Sequence, residues 1–197
     1  MPGSNPRWPD DLPENMTEAE YRALAGDISC SVEIVHGHVI KCESAAPAHN
    51  RIARRLSFAL ESARSPSGPC LTIETAVDVV LWRSPRFTLR RPDVVVYECR
   101  DDPARKSTAQ ETVLVVEVAS PGTAREDLLD KRAQYAAAGI ALYLVVLLDE
   151  TCDITEIREF HLDAAASAYR LHAIHRSVLD LEQPVRLTLP IAELITA

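Results

Sequence analysis

Two apolar runs separated by one helix-length segment set the frame of this chain. VLVVEVAS at 113–120 and ALYLVVLL at 141–148 read as strands buried on both faces, the pattern of a central sheet position. The segment between them predicts a helix from about Thr123 to Ala138, with Gly139 placed to serve as the residue just past its end. Strand, helix and strand in this order give a right-handed crossover that leaves the two strands parallel.

The remaining segments fit around that unit. Residues 17–25 predict a short helix, with Thr17 and Glu20 at capping-box spacing. CSVEIVHGHVIKC at 30–42 predicts a hairpin turning at His36-Gly37, with Glu33 on its first arm. Residues 47–64 predict a long helix whose apolar stripe is Ile52, Leu56, Ala59, Leu60 and Ala63. LTIETAVDVVLW at 71–82 alternates throughout, as one long half-buried strand does. DVVVY at 93–97 is a further strand, ITEIREFHL and SAYRLHAIH form a closing hairpin, and VRLTLPIAELI ends in a strand and a helical turn. The expected fold is α/β (α+β): a mixed central sheet flanked by helices, with a hairpin-rich periphery, forming one domain over 17–197 after a loose tail over 1–16.

Composition narrows the class. No apolar run approaches the roughly 20 residues that span a membrane, and the proline-rich start has no apolar core of a secretory signal. The five cysteines, Cys30, Cys42, Cys70, Cys99 and Cys152, are widely spaced without a CxxC pair. They are expected to be reduced thiols of a cytoplasmic protein. The net charge of −8 argues against a nucleic-acid partner. Its distribution argues the other way: segment 49–91 carries eight arginines against three acids, net +5, which leaves −13 on the rest. A basic face and an ordinary solvated surface both fit that segment.

Each of two apolar strands carries one carboxylate, Asp93 at the head of one and Glu117 inside the other. An acid in such a strand is costly to bury unless something pairs with it, and a metal ion is one such partner. The connection 98–112 allows the two strands to be neighbours, so that both carboxylates converge on one ion. Asp127 and Lys131 share a helix face at i,i+4 spacing. Phosphodiester hydrolysis needs charge stabilisation and an activated water, supplied by Mg²⁺ held on carboxylates and a main-chain carbonyl. A nearby lysine can orient or deprotonate the water, or neutralise developing charge. Plainer readings exist for each residue: a turn aspartate after Pro92, a water-facing strand glutamate, a solvated helix pair. Ser120 and Thr123 read as helix caps, and Tyr135 either packs over Lys131, the favoured reading, or bonds to the site. His49 opens the basic helix, either touching phosphate or serving structure. His36, His38, His161, His172 and His175 show no metal-ligand spacing.

The segments VEIVHGHVI, the helix beginning near His49, RPDVVVY, VVEVASPGTAREDLLDKRAQYAAAGI and YLVVLLD together resemble the PD-(D/E)XK nuclease superfamily. Within it they resemble the Uma-two family of restriction-endonuclease-like proteins. The specific part is the run EV-x-SP-x-T-x(3)-D-x(3)-K-x(3)-Y. The resemblance implies a metal-dependent endonuclease hydrolysing DNA phosphodiester bonds, using Mg²⁺ or Mn²⁺. It implies Asp93, Glu117 and the carbonyl of Val118 as metal ligands and Glu33 as an accessory carboxylate. The superfamily's lysine position is Ala119 here, and Lys131 on the following helix is the candidate replacement. Arg51, Arg54, Arg55 and Arg91 would then track the DNA backbone, and a homodimer is expected for double-strand cutting. Ala119 and the acidic balance motivate an alternative, a catalytically inactive module of the same fold that binds nucleic acid or a protein partner.

Overall fold

The computed structural model describes residues 12–195 apart from 25, 30, 43–44 and 103. Helix α1 (Glu18–Ala23) opens on the expected capping box, with Glu20 Oε2 accepting from Thr17 N at 2.7 Å and Thr17 Oγ1 from Glu20 N at 3.3 Å. After the short α2 (Gly26–Ser29), strands β1 (Val32–Val35) and β2 (His38–Lys41) form the hairpin. His36 and Gly37 at its tip have φ of +51° and +83°, the left-handed backbone that a tight two-residue hairpin turn demands. Helix α3 (Pro47–Ser62) begins with proline, whose missing N–H has no intrahelical partner there in any case.

Strands β3 (Leu71–Thr75), β4 (Val79–Trp82), β5 (Thr88–Arg90), β6 (Val94–Glu98), β7 (Ser107–Thr108) and β8 (Thr112–Ala119) follow. Then come α4 (Ala124–Glu126), a π-helical turn (Asp127–Lys131) and α5 (Arg132–Ala137). Strands β9 (Leu142–Leu148), β10 (Ile154–Asp163), β11 (Ala168–His175), β12 (Val178–Leu181) and β13 (Leu187–Pro190), and helix α6 (Ala192–Ile195), complete the order.

The main sheet runs β11-β10-β9-β8-β6-β3, and β8 and β9 are its parallel pair, as the crossover predicts. A second sheet runs β2-β1-β5-β4-β7, and β12 pairs with β13. Strand alternation sorts the main sheet's side chains onto two faces. Val94, Val116 and Val146 face α3, β12, β13 and α6, whereas Val95, Val115 and Val145 face Tyr135, Ile140 and β4. The second sheet closes a smaller core of Val32, Ile34, Val80 and Leu89 against Tyr21 and Phe87. The fold is therefore mixed α/β, with mixed sheets flanked by helices.

Two expectations are corrected. Segment 71–82 is not one strand: Ala76 takes φ +53°, and the chain passes there from the main sheet (β3) to the second sheet (β4). The period-2 row of apolar residues runs on across the break through Val77, Val79 and Leu81, although β4 is buried on both faces, so the pattern alone cannot reveal it. The cysteines are not all reduced, since Cys70 and Cys99 form a disulfide. Leu71 pairs with Glu98 in the β3–β6 ladder, and one step outward brings the two thiols together across 29 residues of sequence. Cys42 and Cys152 are free, and Cys30 lies outside the described residues. Of the tail expected over 1–16, residues 1–11 also lie outside them, while Met16 is buried and Asn15 bridges to His38. Among the described residues no helix is long and apolar enough to cross a membrane.

Candidate active site

The strand carrying Glu117 and the strand headed by Asp93 are antiparallel neighbours. Val94 pairs with Val116, so one further step of the same register sets Asp93 across from Glu117. Glu117 shares its face with Val115 and Ala119 and is buried beneath Tyr135. Both of its oxygens are engaged: Tyr135 donates its hydroxyl to Oε1 at 2.6 Å, and Lys131 donates to Oε2 at 2.9 Å. The lysine absent at position 119 is thus matched by an ammonium arriving from the helix twelve residues on.

The local helix geometry explains that reach. Asp127, Lys131 and Tyr135 are spaced four apart, and an ordinary α-helix would rotate the third by about 80° from the first. The wider turn between Asp127 and Lys131 takes back part of that rotation and keeps all three toward the sheet. The hydroxyl of Tyr143 holds the turn, donating to the Asp127 carbonyl at 2.9 Å, and its ring lies 5.3 Å from that of Tyr135.

Charge in this cluster is unbalanced. Lys131 Nζ lies 2.9 Å from Asp127 Oδ1 as well, an ion pair that lacks hydrogen-bond alignment, so this buried oxygen has no hydrogen bond. Burial pushes the Glu117 carboxyl up to about 8; Lys131 opposes that, while Asp93, Asp127 and Glu33 add to it. Burial likewise raises Asp127, against Lys131. Burial alone would lower Lys131, but Glu117, Asp127 and Glu33 outweigh it and hold the ammonium charged.

Asp93 meets the cluster from the sheet's end. Its Oδ2 accepts from Val118 N at 2.7 Å and lies 3.1 Å from His49 Nε2. Burial alone would lower the His49 pKa; Asp93 outweighs it, and Asn50 and the Val118 main chain add to the rise. Glu33 is buried beside Arg90, whose Nη1 donates to Oε2 at 2.5 Å, and the Arg91 amide donates to Oε1 at 2.8 Å. Arg90 also bonds Gln134 at 2.9 Å and Glu126 at 3.1 Å, which ties β5 to the helix of Lys131.

The structure thus brings Asp93, Glu117, Lys131 and the Val118 main chain to one place, with Glu33 adjacent through Arg90. The four arginines expected to track DNA sit in different surroundings. Arg54 is exposed on α3 and Arg51 is half-buried. Arg55 donates to the Glu193 carbonyl, and Arg91 is held by Asp78 and the Ser29 carbonyl. Sequence reasoning missed Arg90 altogether and left His49 undecided. The one signal for Arg90 is its place in TLRRPD, where strand alternation turns it away from Leu89; that its side is buried is a tertiary fact. Ser120 and Thr123, expected as helix caps, bond each other across the turn before α4 instead: Thr123 stands at the N-cap but makes no side-chain cap hydrogen bond, its Oγ1 accepting from Ser120 N at 3.1 Å.

Chemically, the cluster offers hard oxygen donors from Asp93, Glu117 and the Val118 carbonyl, with the Asp127 carboxylate beside them on Lys131. That is the setting a divalent cation such as Mg²⁺ or Mn²⁺ favours.

The sequence profile of the family described as "Uma2: Putative restriction endonuclease" matches residues 19–192. Among solved structures, the chain is similar to a "putative nuclease belonging to DUF820" from Anabaena variabilis ATCC 29413. The TM-score is 0.65 at 12% identity, covering 91% of this chain and 97% of that one, a likeness of fold. No curated protein matches the chain.

Proposed function

The chain belongs to the Uma2 family, and from that premise we propose that it is a metal-dependent endonuclease acting on DNA. One observation carries the reading. Lys131 spans from the helix to Glu117 and so supplies a cation beside a strand carboxylate although position 119 is alanine. Asp93, Glu117 and the Val118 carbonyl would hold Mg²⁺ or Mn²⁺. The bound ion supplies charge stabilisation at phosphorus and a more acidic water.

The chain's own residues do the rest. Lys131 is held charged, which makes it a poor base. Its role is electrostatic, fixing Glu117 and meeting negative charge that develops on the phosphate. Tyr135 locks Glu117 in one rotamer, and Glu33 orients Arg90 against the catalytic helix rather than binding an ion of its own. His49 shares Asp93 with the proposed ion. Arg51 and Arg54, in the first turns of α3 beside His49, would follow the DNA backbone, with Arg55 and Arg91 supporting from their anchored positions. A cytoplasmic setting belongs to this reading, as does a homodimer, since cutting both strands takes two such centres.

A second reading rests on the pairing of both Glu117 oxygens within the protein: a nuclease-fold module that binds nucleic acid or a protein partner without cutting. Plasmid nicking with Mg²⁺ or Mn²⁺ separates the two. Nicking by the native protein that disappears in Asp93→Ala and Lys131→Ala supports the enzyme. Nicking that survives both substitutions sinks it, and salt-sensitive binding without nicking selects the second reading.

A further inference from the structure

The outer hairpin of the main sheet carries a second polar cluster that the proposed nuclease centre does not use. Glu159 and His161 lie two apart on β10 and therefore on one face. They share it with Ile157, which packs into the α3 side of the sheet, whereas Glu117 is on the opposite side. Glu159 pairs with Leu144 and Leu144 with Val116, so this cluster stands two strands, about 10 Å, from the β8 carboxylate strand.

A β-bulge builds it. Glu159 pairs with Ala173 and Phe160 with Leu171, which leaves His172 as the extra residue on β11. A bulge re-aims a side chain. Here it lays the His172 ring over that of His161, with centroids 4.0 Å apart and planes 8° apart. Glu159 is buried, with Oε1 2.6 Å from His161 Nε2 and Oε2 2.9 Å from His175 Nε2. One ligand atom from each of Glu159, His161 and His172 lies within 4.8 Å of the others.

Two facts point to a ligand rather than to a satisfied ion pair. The His161 and His172 rings stack with centroids 4.0 Å apart beside the buried Glu159, which sets two imidazoles and a carboxylate within 4.8 Å of one another. The cluster also opens to solvent, since His161 and His172 line a surface depression with Asp163 and Arg170. We propose that Glu159, His161 and His172 form a transition-metal site of the zinc class. Two imidazoles and one carboxylate suit Zn²⁺, whereas Mg²⁺ favours all-oxygen sites. Binding needs the exposed His172 ring to turn off the stack so that both lone pairs face the ion. His175 then serves as a positioning residue: its Nδ1 faces the Asp180 amide at 3.5 Å, which leaves Nε2 to donate to Glu159 and hold that ligand in place. An ion so held clips β11, the edge strand, to β10.

The test uses the untagged full chain stripped of metal and titrated with Zn²⁺ by calorimetry and with Co²⁺ by visible absorption. About one tightly bound Zn²⁺ per chain is expected, with an intense tetrahedral Co²⁺ band. His172→Ala, at an exposed position that leaves folding intact, and His161→Gln should each abolish the band. His175→Ala should weaken binding by about 10–100-fold. Asp93→Asn, in the other centre, should leave Zn²⁺ binding unchanged, and excess Mg²⁺ should not displace it. The proposal is overturned by absence of stoichiometric binding, by binding that His172→Ala and His161→Gln leave intact, or by binding lost instead in Asp93→Asn.

Discussion

Two buried carboxylates in this molecule are solved in opposite ways. Asp78, at the crossing between the two sheets, is met by Arg91, Lys106 and the Tyr21 hydroxyl. One acid thus faces two cations. Glu117 lies in a cluster where Asp127 shares Lys131 with it and Asp93 is met by His49, so three acids face two basic side chains. The first arrangement is complete by itself and reads as a structural joint between β4, β5 and the loop of Lys106. The second gathers three carboxylates around one lysine and one histidine, with Lys131 shared between two of them, and it is the cluster in which a cation is proposed. Buried charge alone does not separate the two places; the number of acids per cation does.

The largest expected effect tests the joint. Asp78→Ala takes the carboxylate from the poorly solvated Arg91 and should cost about 3 kcal/mol of stability. That is the low end for a broken buried pair, because the Lys106 side chain is 37% exposed. Denaturant titration checks it, and a loss below about 1 kcal/mol, the range of exposed pairs, would remove the contrast. Next, Lys131→Ala should reduce DNA cleavage by about 10²–10³-fold, the usual cost of one electrostatic stabiliser. The rate should not recover at higher pH, since the lysine acts by charge rather than as a base.

The surplus also predicts a pH signature. The folded protein holds the Glu117 proton to about 8, well above the ordinary carboxyl value, because of burial. Between those two values the folded state binds more protons than the unfolded state, so metal-free stability falls as pH rises through that window. Glu117→Gln mimics the protonated acid and should flatten the fall, by at most about 1.4 kcal/mol per pH unit. Melting curves across the window, without metal, measure it; parallel curves for both proteins would refute the acid surplus. The smallest effect belongs to Tyr135→Phe, which removes one hydrogen bond to Glu117 and should cost about 1–2 kcal/mol of stability.

Much of this was legible in the residues. Asp93 and Glu117 stood out because acids are expensive in apolar strands, and their alignment followed once β6 and β8 were neighbours. The Thr17–Glu20 box, the His36-Gly37 turn and the β8–β9 crossover are local patterns that survive folding unchanged. Lys131 stood out with Asp127 by i,i+4 spacing, which equally describes a solvated pair, and the resemblance singled it out as the replacement for the lysine absent at 119. The β10–β11 histidines gave no signal, because a bulge, which breaks regular spacing, is what brings His172 to His161.

The sequence by itself determined the elements, their faces and the two strand carboxylates, since periodicity, capping and turn chemistry act within a few residues. The tertiary structure alone decided that 71–82 divides between two sheets, that Cys70 meets Cys99, that Arg90 is buried against Glu33, and that Lys131 closes on Glu117. Each of these is a contact between residues far apart in the chain or a charge whose worth depends on burial. Neither quantity exists until the sheets have packed.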